Sequence, residues 1–156
     1  MKDLKTVASY LATRYRAEYG EKIDEMKLQK LTYLAQRESL VRTDEPLFDA
    51  EIQGWRLGPV IPDLRTYYKE ETLTEVRPEE LSDEERAALD AVFDEYADRE
   101  SLSLSRMTHG EICWRKSRKG IRPNESSNVT IPLDDIRMDA FRIQGLRIAA
   151  ELPPQK

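Results

Sequence analysis

Apolar residues recur along the chain with a helical period, and the places where that period breaks mark out the elements. Leu4, Val7, Ala8, Leu11, Ala12 and Tyr15 follow the i, i+3, i+4, i+7 rule, which predicts a helix over 3–19 closed by Gly20. Asp24 is a candidate N-cap for a second helix over 25–36, whose apolar residues extend around most of its circumference beyond Leu28. A helix that is apolar nearly all round is normally buried, so this one is predicted to be central. Over 47–62 the pattern changes. Gly54, Gly58, Pro59 and Pro62 interrupt any long helix, while Trp55, Leu57, Val60 and Ile61 keep the segment apolar. This reads as an ordered loop, with Trp55 plugging the core in preference to facing a partner. Pro62 can open a short helix through Leu64, Tyr67 and Tyr68.

Residues 72–76 alternate and contain two threonines, which predicts a short strand closed by Pro78 and paired with 128–131. Ser82 and Glu85 form a capping box ahead of a helix whose apolar face is Leu89, Val92, Phe93 and Tyr96. Ser101 or Ser103 is expected to cap a short helix that reaches Thr108 and His109. The polar run over 115–120 reads as an exposed loop. Pro132 is expected to start a last helix through Ile136, Ala140 and Ile143, which Gly145 weakens and Pro153-Pro154 ends. The sum is a mainly α, compact multi-helix single domain over 1–150, built around a central buried helix. It carries a small two- or three-stranded β element, and 151–156 form a C-terminal tail.

Composition narrows the class. The 156 residues suit one domain, and 39% hydrophobic residues are enough for a core beneath an unusually charged surface. The longest uncharged runs, 6–13 and 126–133, are eight residues each, against roughly 18 for a membrane span. The amphipathic start and the single cysteine, Cys113, lead us to expect a cytoplasmic protein with no signal peptide and no membrane partner. A net charge of −5 argues against nucleic acid as a partner. Its distribution is uneven: residues 79–100 carry ten acids and two arginines, and residues 106–122 six basic residues and one acid. Such asymmetry could steer a charged partner. The plainer reading is two solvated faces that attract each other within the fold.

His109 and Cys113 lie four apart, close enough on a helix for an imidazole to activate a thiol. No orienting third residue or oxyanion donor accompanies them, so local hydrogen bonding for His109 and simple burial for Cys113 are preferred. Two such residues, even with Glu111, fall short of a closed zinc site. Phosphate-loop, dinucleotide and nucleophile-elbow motifs are missing. We therefore expect no catalytic residue, no metal and no cofactor, and not an enzyme. Gln29, Lys30 and Tyr33 are polar tips on an otherwise apolar helix, and His109, Trp114, Arg115 and Arg118 supply anchor-type side chains beside the expected loop. These seven are the candidate partner-binding residues. The competing reading is that Gln29 and His109 only satisfy each other or the backbone inside the fold.

Three segments resemble a known family. Met26-Lys27-Leu28-Gln29-Lys30-Leu31-Thr32-Tyr33-Leu34-Ala35-Gln36, then Leu47-Phe48 with Glu51-Ile52-Gln53-Gly54-Trp55-Arg56-Leu57-Gly58-Pro59-Val60-Ile61-Pro62, then Leu104-Ser105-Arg106-Met107-Thr108-His109 followed by Trp114, resemble in order and spacing the Panacea domain of SocA-type antitoxins, which includes phage-associated GepA-like proteins. Ile131-Pro132-Leu133-Asp134-Asp135-Ile136 resembles the family's strand-to-helix ending, so the likeness covers nearly the whole chain. Gly54 stands where the pattern has alanine, Leu57 where it has an aromatic, and no proline precedes Trp114. The resemblance implies Trp55, Gly58 and Pro59 as the structural motif. It implies an antitoxin that neutralises a cognate toxin protein by direct binding. The alternative is a phage or mobile-element interaction protein, or an adaptor delivering a toxin to a protease such as ClpXP. The short ends beyond the likeness make operator binding a lesser expectation than in antitoxins that carry a helix-turn-helix.

Overall fold

A computed structural model describes residues 1–153. Among them the order of elements is α1 (Leu4–Tyr19), α2 (Glu25–Thr43), β1 (Gln53–Trp55), β2 (Gly58–Val60), α3 (Pro62–Lys69), a 3₁₀ turn (Pro78–Glu80), α4 (Asp83–Tyr96), α5 (Ser101–Thr108), α6 (Ile112–Ser117) and α7 (Leu133–Glu151). The fold is mainly helical with one small antiparallel sheet. No helix among the described residues is long and apolar enough to cross a membrane.

Local chemistry sets the helix ends. Asp3 and Asp24 each accept a hydrogen bond from the third helical N–H of α1 and α2, and Gly20 closes α1 in the left-handed region. The Ser82–Glu85 box opens α4 as the residues predict. At α5 the expectation changes: Glu100 occupies the cap position, and Ser101, already helical, donates to the Asp24 carboxylate instead. Pro132 precedes α7, which continues through Gly145 to Glu151. Of the expected Pro153-Pro154 stop and 151–156 tail, residues 154–156 lie outside the described residues.

Helix α2 is the centre. It packs against α1, α3, α4, α5, α7 and β2, and every residue from 27 to 40 is buried. It also runs seven residues past the predicted end at Gln36. Eight of those fourteen buried residues are polar or charged: Lys27, Gln29, Lys30, Thr32, Gln36, Arg37, Glu38 and Ser39. Periodicity stops at the polar run, whereas the helix continues because that run finds partners inside. Gln36 shows how. Its Oε1 accepts from the Leu47 and Phe48 N–H groups and its Nε2 donates to the Phe48 carbonyl, which fixes the start of the following segment.

That segment is a hairpin and not a loop. Gln53 pairs with Val60, Gly54 with Pro59 and Trp55 with Gly58. Side chains alternate faces along a strand, and Gly54 is the buried position of β1. Trp55 therefore takes the outer face, half-buried outside the core cluster, with its indole N–H on Gln53 Oε1. It is not the core plug.

The predicted pairing of 72–76 with 128–131 does not form. The Thr74 and Val76 N–H groups go to the hydroxyls of Ser9 and Thr13 on α1, so this stretch is a strap along α1. Residues 128–131 meet the hairpin instead, through a Gln53–Thr130 bridge and through bonds from Gly54 N to Val129 O and Ile131 N to Ile52 O. The acidic and basic stretches do not attract each other either. Asp90 and Asp94 pair with Arg14 of α1, and Lys116 pairs with Asp135 of α7.

A Cβ at Gly54 would sit 1.9 Å from Ser117 Oγ and 2.9 Å from Ser117 Cβ. Glycine is required here by the close approach of α6. Gly54→Ala is expected to cost about 1–3 kcal/mol in denaturant unfolding. Adding Ser117→Gly, which removes both obstructing atoms, should recover most of that loss.

Candidate functional site

A two-stranded hairpin with three-residue strands leaves most of its outward carbonyls without strand partners, and buried carbonyls need donors. Here side chains from three helices supply them. From α2, Gln29 donates to the Ile61 carbonyl and accepts from the Ile61 N–H, and Lys30 Nζ donates to Pro59 O at 3.0 Å. From α5, Ser105 donates to Leu57 O at 2.6 Å. His109, at the end of α5, turns its ring toward the backbone of Arg56. Trp114 of α6 donates through its indole to Trp55 O at 2.8 Å, and Arg118, which caps α6, donates to Gly54 O, Arg122 O and Glu125 O. The separated motif residues thus form one device that holds the hairpin.

Gly58 makes the device possible. Its φ of 115° lies in the left-handed region, and a Cβ there would meet Thr108 Oγ1 at 2.5 Å and Lys30 Cε at 2.9 Å. Lys30 passes beneath the turn only because Gly58 has no side chain. Pro59 has no N–H to satisfy and offers its carbonyl to Lys30.

The structure therefore redistributes the seven candidate contact residues. Gln29, Lys30, Tyr33 and Arg118 are buried, and only Arg115 is fully exposed. The 115–120 run is not an exposed loop, because α6 extends through Ser117 and Arg118 turns inward onto three carbonyls. Gln29 and His109 do not satisfy each other; Gln29 serves the backbone at Ile61. His109 stacks on Trp114 with ring centroids 4.2 Å apart. Burial, helped by Lys30, lowers its pKa, and its Nε2 is buried without a partner.

Tyr33 belongs to a second cluster. Its hydroxyl donates to Glu111 Oε1, which also accepts from Arg37, while Glu111 Oε2 accepts from Arg142 of α7. Burial, and then Cys113 and Glu111, push the Tyr33 pKa up. Asp139 of α7 accepts from the N–H groups of Ile112 and Cys113, both at 2.8 Å, so one helix caps another. Glu38 forms a two-pronged pair with Arg147. The pattern of residues missed Arg37, Glu38 and Asp139, since charges are normally assigned to the surface. The one signal was the polar run continuing a buried helix. Cys113 and His109 lie on different helices, and burial drives the Cys113 thiol pKa up beside the Tyr33 hydroxyl, 3.1 Å away. That opposes the thiolate a nucleophile needs. Glu111, the candidate third metal ligand, is occupied by Tyr33, Arg37 and Arg142.

Beside the hairpin, α2, α3 and residues 126–128 line an open cavity of about 500 Å³, with Lys30 in its wall and Trp55 on one side. Lys30 is 1% exposed and, among the described residues, forms no ion pair with a carboxylate. Burial pulls its pKa down to about 8, an effect that Glu25 partly offsets.

A family model described as the antitoxin SocA-like Panacea domain matches residues 28–115, more than half of the chain. No curated protein and no solved structure matches it. Every side chain that holds the hairpin lies inside the matched stretch, apart from Arg118.

Because folding lowers the Lys30 pKa, the stability penalty is full below about pH 8 and fades as the pH rises toward 10.5. At pH 7 it amounts to about 3 kcal/mol, against about 1 kcal/mol returned by the Pro59 bond. Lys30→Met is therefore expected to stabilise the fold by about 1–2 kcal/mol at pH 7. The difference between variant and parent, followed by urea unfolding, should shrink between pH 8 and 10.5.

Proposed function

The chain belongs to the SocA-like antitoxin family with a Panacea domain, and on that premise we propose that it neutralises a cognate toxin by binding it directly. The observation that supports a binding role is on α7. Met138, Phe141 and Ile148 recur at spacings of three and seven and stay uncovered, Phe141 at 79% exposure. Large apolar side chains aligned on one face are the usual mark of a protein contact, and an exposed aromatic is a typical anchor. The helix is firmly seated for this purpose, since Asp139, Arg142 and Arg147 tie it to α6 and α2. The hairpin device, in this reading, is scaffold, and the toxin meets α7. No catalytic step is assigned to the chain.

Co-expression with the adjacent open reading frame tests the proposal. Growth arrest by that frame alone, relieved by this chain, is the expected result, and a neighbour that is harmless on its own sinks it. Phe141→Asp with Ile148→Asp is expected to weaken toxin binding at least 100-fold in a titration while leaving the melting temperature within about 2 °C, because surface changes of this kind alter stability little. A toxin whose lifetime falls when the chain is present, and recovers when a protease such as ClpXP is removed, identifies delivery for degradation as the mode of neutralisation.

A further inference from the structure

Helix α7 is seated by its first half and stands clear in its second. Asp135, Ile136, Asp139 and Ala140 are buried, whereas every residue from 144 to 151 is exposed, with Arg147 tying that stretch to Glu38. On the outward face Met138, Phe141, Gly145 and Ile148 fall at spacings of three, four and three. That is the seam of a helix that pairs with another helix, each large side chain a knob for a hole on the facing one. The seam is uneven. Phe141 is its largest knob, and one turn later Gly145 leaves a recess, with nothing of its own molecule within 4 Å of where a Cβ would stand. At the Met138 end an open groove of about 680 Å³ runs beside the seam, with Leu40, Val41 and Ile112 among its lining residues.

We propose that a second copy of the chain covers this face, α7 against α7 in antiparallel register. Met138 of each copy then faces Ile148 of the other, and Phe141 of each enters the recess over the other's Gly145. One patch meets itself, as a two-fold pair requires. The flanking charges favour the same register. Antiparallel pairing sets Arg137, held in its own copy by Asp44 and Asp134, beside the exposed Glu151 of the other, and Arg142 on the opposite flank is turned to Glu111 and Asp139. Parallel pairing sets Phe141 against Phe141, leaves the two glycines across a void, and brings Arg137 beside Arg142. It also crowds both bodies at one end of the seam, whereas the exposed last turns of α7 let antiparallel copies sit at opposite ends. The contact is small, one helix face and the groove beside it, so the pair is weak and reversible. The inference rests on the reading of α7 as a contact face and adds its regulation: paired copies withhold the face, and a toxin must displace the second copy to reach it.

Sedimentation velocity of the purified full chain alone, from micromolar to millimolar concentration, tests the pairing. The average mass is expected to rise toward that of two copies. Gly145→Leu should weaken association at least ten-fold while raising the melting temperature, because leucine is the better helix former at an exposed position. A face that is merely adhesive would gain from the added leucine instead. Phe141→Ala should weaken association likewise, and joining it to Gly145→Phe, which exchanges knob and hole, should restore most of it. In an oxidised equimolar mixture, the Met138→Cys and Ile148→Cys variants are expected to cross-link to each other in preference to themselves, Cys113 being buried. A chain that stays monomeric throughout overturns the proposal, as does a Gly145→Leu variant that associates as tightly as the parent or more so, or cross-linking without that preference. None of these measurements contains toxin. Their failure therefore leaves direct toxin binding, read by growth rescue, standing, and failed rescue leaves the pairing standing.

Discussion

A helix that is enclosed on every side and is half polar must find an interior partner for each polar group it carries. That constraint on α2 organises the rest of the molecule. Leaving one such group unpaired costs more than its hydrogen bond returns, so the neighbours are arranged as acceptors and donors as much as packing surface. Gln29 and Lys30 demand a backbone with free carbonyls, which the hairpin provides. Gln36 demands the turn at Leu47 and Phe48. Arg37 and Glu38 demand counter-ions, and α6 and α7 bring Glu111 and Arg147 to them.

The hairpin has the same need from the opposite side. Its carbonyls are too many for a two-stranded sheet, and α2, α5 and α6 each contribute donors to them. Two incomplete units thus complete each other. The pairing is not complete: Lys30 has one carbonyl partner for its three donors, and Arg37 Nε has none.

The elements legible in the residues were those governed by local rules: the caps at Asp24 and Ser82, the stop at Gly20, the proline that opens α3. The central place of α2 was legible from its apolar circumference, but its last two turns were not, because Arg37 and Glu38 look like surface residues until Glu111 and Arg147 are seen beside them. The strap over 72–76 has strand-like alternation, and only the hydroxyls of Ser9 and Thr13 reveal why it lies along a helix. For the site, side-chain type picked out Gln29, Lys30, His109, Trp114 and Arg118 among the seven candidates. Their shared target, a row of main-chain carbonyls, has no side-chain signature and could not be read. Anchor-type residues were thus taken for surface, while the uncovered face of α7 went unremarked because a stripe of Met138, Phe141 and Ile148 ordinarily means core.

Helix α6 has six residues, too few to nucleate alone, and the side chain that caps it comes from residue 139. The hairpin depends on α6, and α6 depends on a helix made last. During synthesis, then, the first 117 residues emerge from the ribosome without the means to close, and the growing chain carries its unfinished centre until α7 has cleared the exit tunnel. At the usual 5–20 residues per second that interval lasts on the order of seconds. The hairpin, α6 and α7 thus close together, and not progressively from the N-terminus.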